Sequence, residues 1–300
     1  MLKIAYAPNY CHPLPAGHRF PMEKYELLPG QLLYEGIVSQ ENFFQPEQIA
    51  EKWILKAHSK SYWDKLKSLS LSKSEIRATG FPLSKALVDR ETTIVQGSVQ
   101  AAEFALEFGI GMNIAGGTHH AFTDRGEGFC LLNDIAVTAH YLLDQKLASR
   151  VLVLDLDVHQ GNGTAEIFQQ EPRVFTFSMH GEKNYPHRKE QSGLDLPLVD
   201  GIQDEVYLEV LKKNLVDVLE QFQPDFIIYQ SGVDILASDK LGRLGLSMQG
   251  VKERDYFVLN LAKSQNIPTM CCMGGGYSED IRIIIDAHTQ LYRAAQELFF

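Results

Sequence analysis

Short, wholly apolar runs alternate with amphipathic stretches along the middle and C-terminal parts of the chain, and that alternation constrains the fold more than any other feature. Val151–Leu154, Phe226–Tyr229 and Thr269–Met273 read as strands buried on both faces, and Met112–Ala115 and Val174–Phe177 are weaker examples. Between them Tyr207, Val210, Leu211, Leu215, Val218, Leu219 and Phe222 recur at helical spacing, and Pro224 marks where that helix has stopped. Asp134–Lys146, Glu91–Phe108, Gln249–Ser264 and Ser278–Phe299 also read as helices. Strands alternating with helices predict an α/β fold of three layers, a mainly parallel central sheet with helices on both faces. The first ninety residues, punctuated by Pro13, Pro15, Pro21, Pro29, Pro46 and Pro82, read as a first strand, a few helices and long loops on the rim. No repeat, low-complexity tract or linker interrupts the 300 residues, so residues 1–300 are expected to form a single domain.

Composition excludes several function classes. Hydrophobic residues at 45% and charged residues at 22% suit a soluble chain with a large core. A net charge of −10 repels phosphates, which argues against nucleic-acid binding; it can favour cationic partners such as basic protein tails or polyamines, but the preferred reading is that it keeps the chain soluble. Cys11, Cys130, Cys271 and Cys272 form no Cys-x-x-Cys pair, so a disulfide framework is not expected and the compartment reads as reducing. The apolar start Met1–Tyr6 meets Pro8 too soon for a signal peptide, and no run approaches the roughly 20 apolar residues of a membrane span. A cytoplasmic location is expected.

Four strand-like runs end in Gly-rich clusters that carry His, Asp or Tyr. These are Gly116-Gly117-Thr118-His119-His120, Asp155-Leu156-Asp157-Val158-His159, Gly232-Val233-Asp234 and Gly274-Gly275-Gly276-Tyr277. In open α/β sheets ligands bind beyond the carboxyl ends of the strands, so these clusters can converge. If the chain stays extended through Asp155, Asp157 and His159, alternate side chains share one face. A carboxylate and an imidazole there, with Asp234 as a third ligand, would leave zinc an open fourth position, as a catalytic site requires. An isolated Asp or His is more often a loop cap, and for Asp234 alone that reading is preferred. Three ionisable groups closing one apolar strand are costly unless paired or metal-bound, which weighs the unit towards a site. Of the tandem histidines, the one beside a carboxylate should be the acid-leaning member and the one with a neutral partner the base-leaning member. Tyr277, after a glycine turn, can donate to a developing oxyanion; its ordinary alternative is a packed ring.

Together with Asp124-Arg125-Gly126-Glu127-Gly128-Phe129-Cys130 and Gln160-Gly161-Asn162-Gly163-Thr164, these segments resemble the histone deacetylase superfamily, which has the arginase-like α/β fold. The likeness is strong over residues 110–280, and His159–Gly163 and Asp234–Leu236 are similar to the class IV branch and its bacterial relatives. The resemblance implies a zinc-dependent deacylase. Asp157, His159 and Asp234 would bind one Zn2+. His119 and His120 would be the catalytic pair, with His120 the base, Asp155 on His119 and Asn162 on His120, and Tyr277 would polarise the substrate carbonyl. Gly128, Phe129, Tyr185 and Gly275 would bind substrate, Phe129 and Tyr185 walling a tunnel that buries the acyl-lysine stem at roughly 0.8 kcal/mol per methylene. A structural K+ would sit on Asp155, Ser178, the Met179 carbonyl and the backbone of Asp157 and His159. Two departures stand out. Asn162 occupies a position where some branches carry Asp, and no acidic rim residue has a clear counterpart in the first third.

The implied partner is an acylated lysine in a peptide or protein, with acetyl or a longer acyl group. An acetylated polyamine or another small acylated amine is the alternative. A two-manganese centre as in arginase would need more carboxylates than the Asp157, His159 and Asp234 set offers. A non-catalytic binding module would require the loss of a catalytic group, and all are present.

Overall fold

The computed structural model describes all residues 1–300. Eight strands form one sheet: β1 (Lys3–Ala5), β2 (Phe43–Phe44), β3 (Ile110–Asn113), β4 (Val151–Asp155), β5 (Val174–Gly181), β6 (Leu194–Leu198), β7 (Phe226–Gln230) and β8 (Thr269–Cys272). Their order is β2-β1-β3-β8-β7-β4-β5-β6, and every neighbouring pair is parallel. The sheet expected to be mainly parallel is wholly so. Every residue of β3, β4, β7 and β8 is buried, as strands covered on both faces must be.

The covering helices fall into two layers. In one, α2 (Glu51–Ala57), α3 (Lys60–Lys67), α5 (Lys85–Phe108), α6 (Asp134–Asp144) and α7 (Asn162–Phe168) pack in a connected series, with α5 lying on β1, β3 and β8. In the other, α1 (Lys24–Tyr34), α10 (Ile281–Phe299), α9 (Met248–Ser264) and α8 (Asp204–Phe222) follow one another. The short α4 (Lys73–Thr79) stands at the rim. One contiguous apolar cluster of 83 buried residues fills the interior. No helix is long and apolar enough to cross a membrane. All four cysteines are free.

Several boundaries differ from the sequence reading for identifiable reasons. Helix α5 begins at Lys85 rather than Glu91, because the Ser84 hydroxyl caps it by accepting from the Leu87 amide at 3.1 Å. Its first turns put Arg90 and Glu91 inside as a buried ion pair, which masks the apolar period. Helix α10 starts at Ile281, where Asp280 caps the Arg282 amide at 3.0 Å, and Ser278 lies outside it. Strand β3 is Ile110–Asn113, two residues earlier than the expected Met112–Ala115. Strand β6 escaped detection because it is a half-exposed edge carrying Pro197, tolerated only where one side of the ladder is free.

One buried histidine ties the rim to the helical layer. His58 Nδ1 lies 2.9 Å from the Phe122 carbonyl, and His58 Nε2 accepts the Asn133 amide at 2.9 Å. That geometry requires a neutral ring protonated at Nδ1. It joins the loop after the tandem histidines to the start of α6. Burial pushes the His58 pKa down from 6.5 to about 4. The unfolded chain therefore binds a proton that the folded chain refuses, so this contribution to stability is complete above pH 6.5 and is lost as the pH falls through about 4. Urea unfolding at pH 7 and pH 5 should show wild type losing about 2 kcal/mol more than His58→Gln between the two. Equal losses in the two proteins would contradict this account.

Candidate functional site

Because all the strands are parallel, their carboxyl ends share one rim, and the loops after β3, β4, β7 and β8 meet there. The loop after β4 does not continue as an extended strand. Beyond Asp155 the chain bends, and successive aspartates cap the turns: Asp155 Oδ1 accepts the Asp157 amide at 3.1 Å, and Asp157 Oδ1 accepts the His159 amide at 2.9 Å. This corrects the picture of three side chains on one extended face. Asp155 turns away to His119, while Asp157 and His159 turn together towards Asp234.

Those last three form the centre. His159 Nδ1 lies 3.0 Å from Asp157 Oδ1 and 3.1 Å from Asp234 Oδ2, and all three residues are buried. One potential ligand atom from each lies within 4.8 Å of the others. Two buried carboxylates are unfavourable neighbours. Burial, then the charge of Asp157, lifts the Asp234 carboxyl to about 7. Burial alone would lower His159, but its bonds to Asp157 and Asp234 outweigh this and raise it to about 10. The cluster thus demands positive charge where its three ligand atoms converge. Two hard oxygens and one imidazole nitrogen are a donor set that fits zinc with a further position open.

Gly275 completes the centre. Its amide donates to Asp157 Oδ2 at 2.7 Å, and a β-carbon on it would lie 2.0 Å from Asp234 Oδ2. Only glycine fits there. The sequence reading placed Gly275 with substrate; the structure places it against the carboxylates.

The tandem histidines occupy different surroundings. His119 Nδ1 is 2.7 Å from Asp155 Oδ2, and His120 Nδ1 is 2.6 Å from Asn162 Oδ1. Burial lowers the His119 pKa, but the Asp155 and Asp157 charges reverse this and leave it raised. Burial, then the neighbouring His119 and His159 charges, hold His120 well below its usual value. Asn162 accepts from Nδ1, so the lone pair of His120 is on Nε2. His119 is thus the member beside a carboxylate and His120 the member beside a neutral amide.

A cavity of about 220 Å³ opens over the centre, lined by His120, His159, Tyr277, Gly128, Phe129 and Tyr185, with Arg19, Ala78 and Leu241. Phe129 and Tyr185 both wall it. The Gly128 and Phe129 amides donate to the Ala78 and Thr79 carbonyls at 3.0 and 2.8 Å, which fastens that wall to the end of α4. Tyr185 stands edge-on to His120, ring centroids 5.0 Å apart, and its hydroxyl donates to Glu127 at 2.6 Å. The Tyr277 phenol has no hydrogen-bond partner within the protein. Burial keeps its pKa well above the usual value, so it remains a donor. Its amide is fixed by Asp239 at 2.6 Å. The proposed K+ ligands lie side by side: Ser178 pairs with Asp155 across β4 and β5, Met179 is buried, and the Ser178 hydroxyl is 2.9 Å from His180 Nδ1.

Three supporting residues escaped the sequence reading. Gln230 Nε2 sits 3.1 Å from His119 Nδ1 and 3.3 Å from Asp157 Oδ2. Arg254, fully buried beside Asp255, donates to the Gly232 carbonyl at 2.6 Å and steadies the loop that carries Asp234. Lys24, fully buried, donates to the Gly274 carbonyl at 3.2 Å, and its ammonium lies 5.4 Å from the Tyr277 ring centre. A lysine inside a helical period signals nothing in sequence. Only Gln230, closing an apolar strand just before Ser231-Gly232, left a trace.

The sheet order and layers define the arginase/deacetylase architecture, and a solved structure described as an HDAC homologue complexed with SAHA matches it. The match has a TM-score of 0.84 at 26% identity, over 98% of this chain and 84% of the other. The histone deacetylase domain model matches residues 18–292. This chain belongs to the histone deacetylase family. It is 42% identical over 99% of both chains to an uncharacterised protein of Picosynechococcus sp. (strain PCC 7002). It is 31% identical to histone deacetylase 2 of Arabidopsis thaliana, over 92% of this chain and 74% of that one. It is 30% identical to the acetoin utilization protein AcuC of Staphylococcus aureus, over 92% and 76%.

Replacing Asn162 by Asp sets a carboxylate on His120 Nδ1 and should raise the pKa of that ring. If His120 works as a neutral base, the acidic limb of the pH–kcat/KM profile moves to higher pH in Asn162→Asp. Superimposable profiles would remove His120 from that role.

Proposed function

We propose that this chain is a zinc-dependent deacylase that hydrolyses the amide of an acylated amine, foremost an Nε-acyl-lysine, to a free amine and a carboxylate. The observation that carries the reading is the joint placement of Asp157, His159 and Asp234 below a walled cavity into which His120 and Tyr277 also face. On this reading residues 1–300 act as one catalytic domain around one core, in the cytoplasm, and the class IV branch is its place in the family. Asp155, Ser178 and Met179 would hold a K+ behind the centre. Family membership and the SAHA-bound homologue support the chemistry without naming this chain's substrate.

Zinc bound by Asp157, His159 and Asp234 would supply Lewis acidity to the substrate carbonyl and to a water. The protein's own groups then divide the work. His120 Nε2 accepts a proton from the attacking water, while Asn162 holds its Nδ1–H. The Tyr277 hydroxyl donates to the carbonyl oxygen as charge develops on it. His119, paired with Asp155, keeps positive charge beside the reaction. A protonated histidine delivers the proton to the departing amine. Phe129 and Tyr185 shield the uncharged acyl-lysine stem from water.

Zinc-loaded protein should release acetate from an acetyl-lysine peptide. His120→Ala and Tyr277→Phe should each lower kcat by roughly 100-fold or more. Asp157→Asn should lose zinc in equilibrium dialysis. Full turnover by His120→Ala, or two manganese ions per chain in metal analysis, would overturn the assignment.

A further inference from the structure

We propose that Arg19 selects substrates that carry a carboxylate on the amine side of the scissile amide. The inference rests on the deacylase reading and deepens it by naming a substrate class.

The cavity over the centre is graded from floor to mouth. His120 and His159 at its floor are buried, whereas Arg19, Ala78 and Tyr185 at its mouth are exposed. The amide must reach Tyr277 and His120, so the acyl group sits at the floor. The amine half then runs between Phe129 and Tyr185 to the mouth, and Arg19 is what it meets there.

Arg19 is the only lining residue with a fixed charge. Its guanidinium carbon lies 5.0 Å from the centre of the Phe129 ring. Contact with an aromatic face orients an arginine without using its five N–H donors. Those donors have no protein partner, since Arg19 makes no hydrogen bond or ion pair with any other residue. The nearby acid, Glu127, is already held by Arg125 at 2.8 Å and by the Tyr185 hydroxyl at 2.6 Å. The adjoining groove beyond Tyr185 carries an unpaired Arg188 and an unpaired Glu190 beside the Arg125–Glu127 pair, so it adds no net charge of its own. On a chain of net charge −10, the mouth thus presents uncommitted positive charge.

An unpaired guanidinium matches a carboxylate with two parallel, charge-assisted hydrogen bonds. A second ammonium, as in an acetylated polyamine, would meet like charge. The required carboxylate can come from an acylated ω-amino acid or from an acidic residue flanking an acyl-lysine, and both must be tried.

The test compares 6-acetamidohexanoate with its neutral primary amide and with N-acetylputrescine, and Glu-flanked with Lys-flanked acetyl-lysine peptides. For the zinc-loaded wild type, kcat/KM should favour the acid over its amide by roughly tenfold, mainly through KM. N-acetylputrescine should be the poorest of the three. That ratio should collapse towards unity in Arg19→Gln, survive in part in Arg19→Lys, and invert in Arg19→Glu. Preference confined to 6-acetamidohexanoate identifies a small acid as the source; preference confined to Glu-flanked peptide identifies a protein segment. A wild-type ratio near one in both the small-molecule and the peptide series, or a ratio that persists in Arg19→Gln, overturns the proposal. Calorimetric binding of the acid and its amide separates the two layers of inference. Selective binding of the acid without hydrolysis of any substrate would sink the deacylase reading and leave charge selection standing. Hydrolysis that is equal for acid and amide and equal for Glu-flanked and Lys-flanked peptides would do the reverse.

Discussion

Two carboxylates buried side by side, Asp157 and Asp234, set the terms for everything around them. Placed side by side inside the protein, they need positive charge, and the surrounding groups are arranged to supply or share it. His159 offers a ring nitrogen to both. The amides of Val158 and Gly275 each donate to one of them, at 2.9 and 2.7 Å. Those two donors come from loops far apart in sequence, so the ionic requirement also fixes how the loops after β4, β7 and β8 dock on one another. The three ligand atoms lie close enough together to hold one metal ion.

The wholly parallel sheet makes this possible. Parallel strands send all their carboxyl ends to one rim, and burial on both faces keeps those ends rigid. The supports then extend outwards. Arg254 holds the backbone of the Asp234 loop, Asp239 holds the Tyr277 amide, and Lys24 holds Gly274. Each acts on backbone, which positions the functional side chains without touching the cavity.

The legible parts of the sequence were those governed by local rules. Apolar runs revealed β4, β7 and β8, and helical periods revealed α8 and α9 to within a few residues. The Gly-rich clusters located the rim, and their residues do meet. The local geometry was less accessible. An extended Asp155–His159 was a reasonable inference from alternation, but side-chain capping bends the chain and sends Asp155 to His119. The edge strand β6 hid behind Pro197, and the first turns of α5 behind a buried Arg90–Glu91 ion pair. Lys24 and Arg254 were illegible because nothing local distinguishes a buried cation from a solvated one. Only the folded chain shows what each faces.

The crowding at Gly275 constrains how such a molecule can diverge. With the Asp234 carboxylate 2.0 Å from where a β-carbon would stand, the floor admits no side chain there without disturbing the ligand set. Ala78 and Leu241, by contrast, border the opening and belong to neither the ion-binding group nor the histidine pair. A substitution at the entrance can therefore reshape the opening without crowding the buried carboxylates, which one at Gly275 cannot.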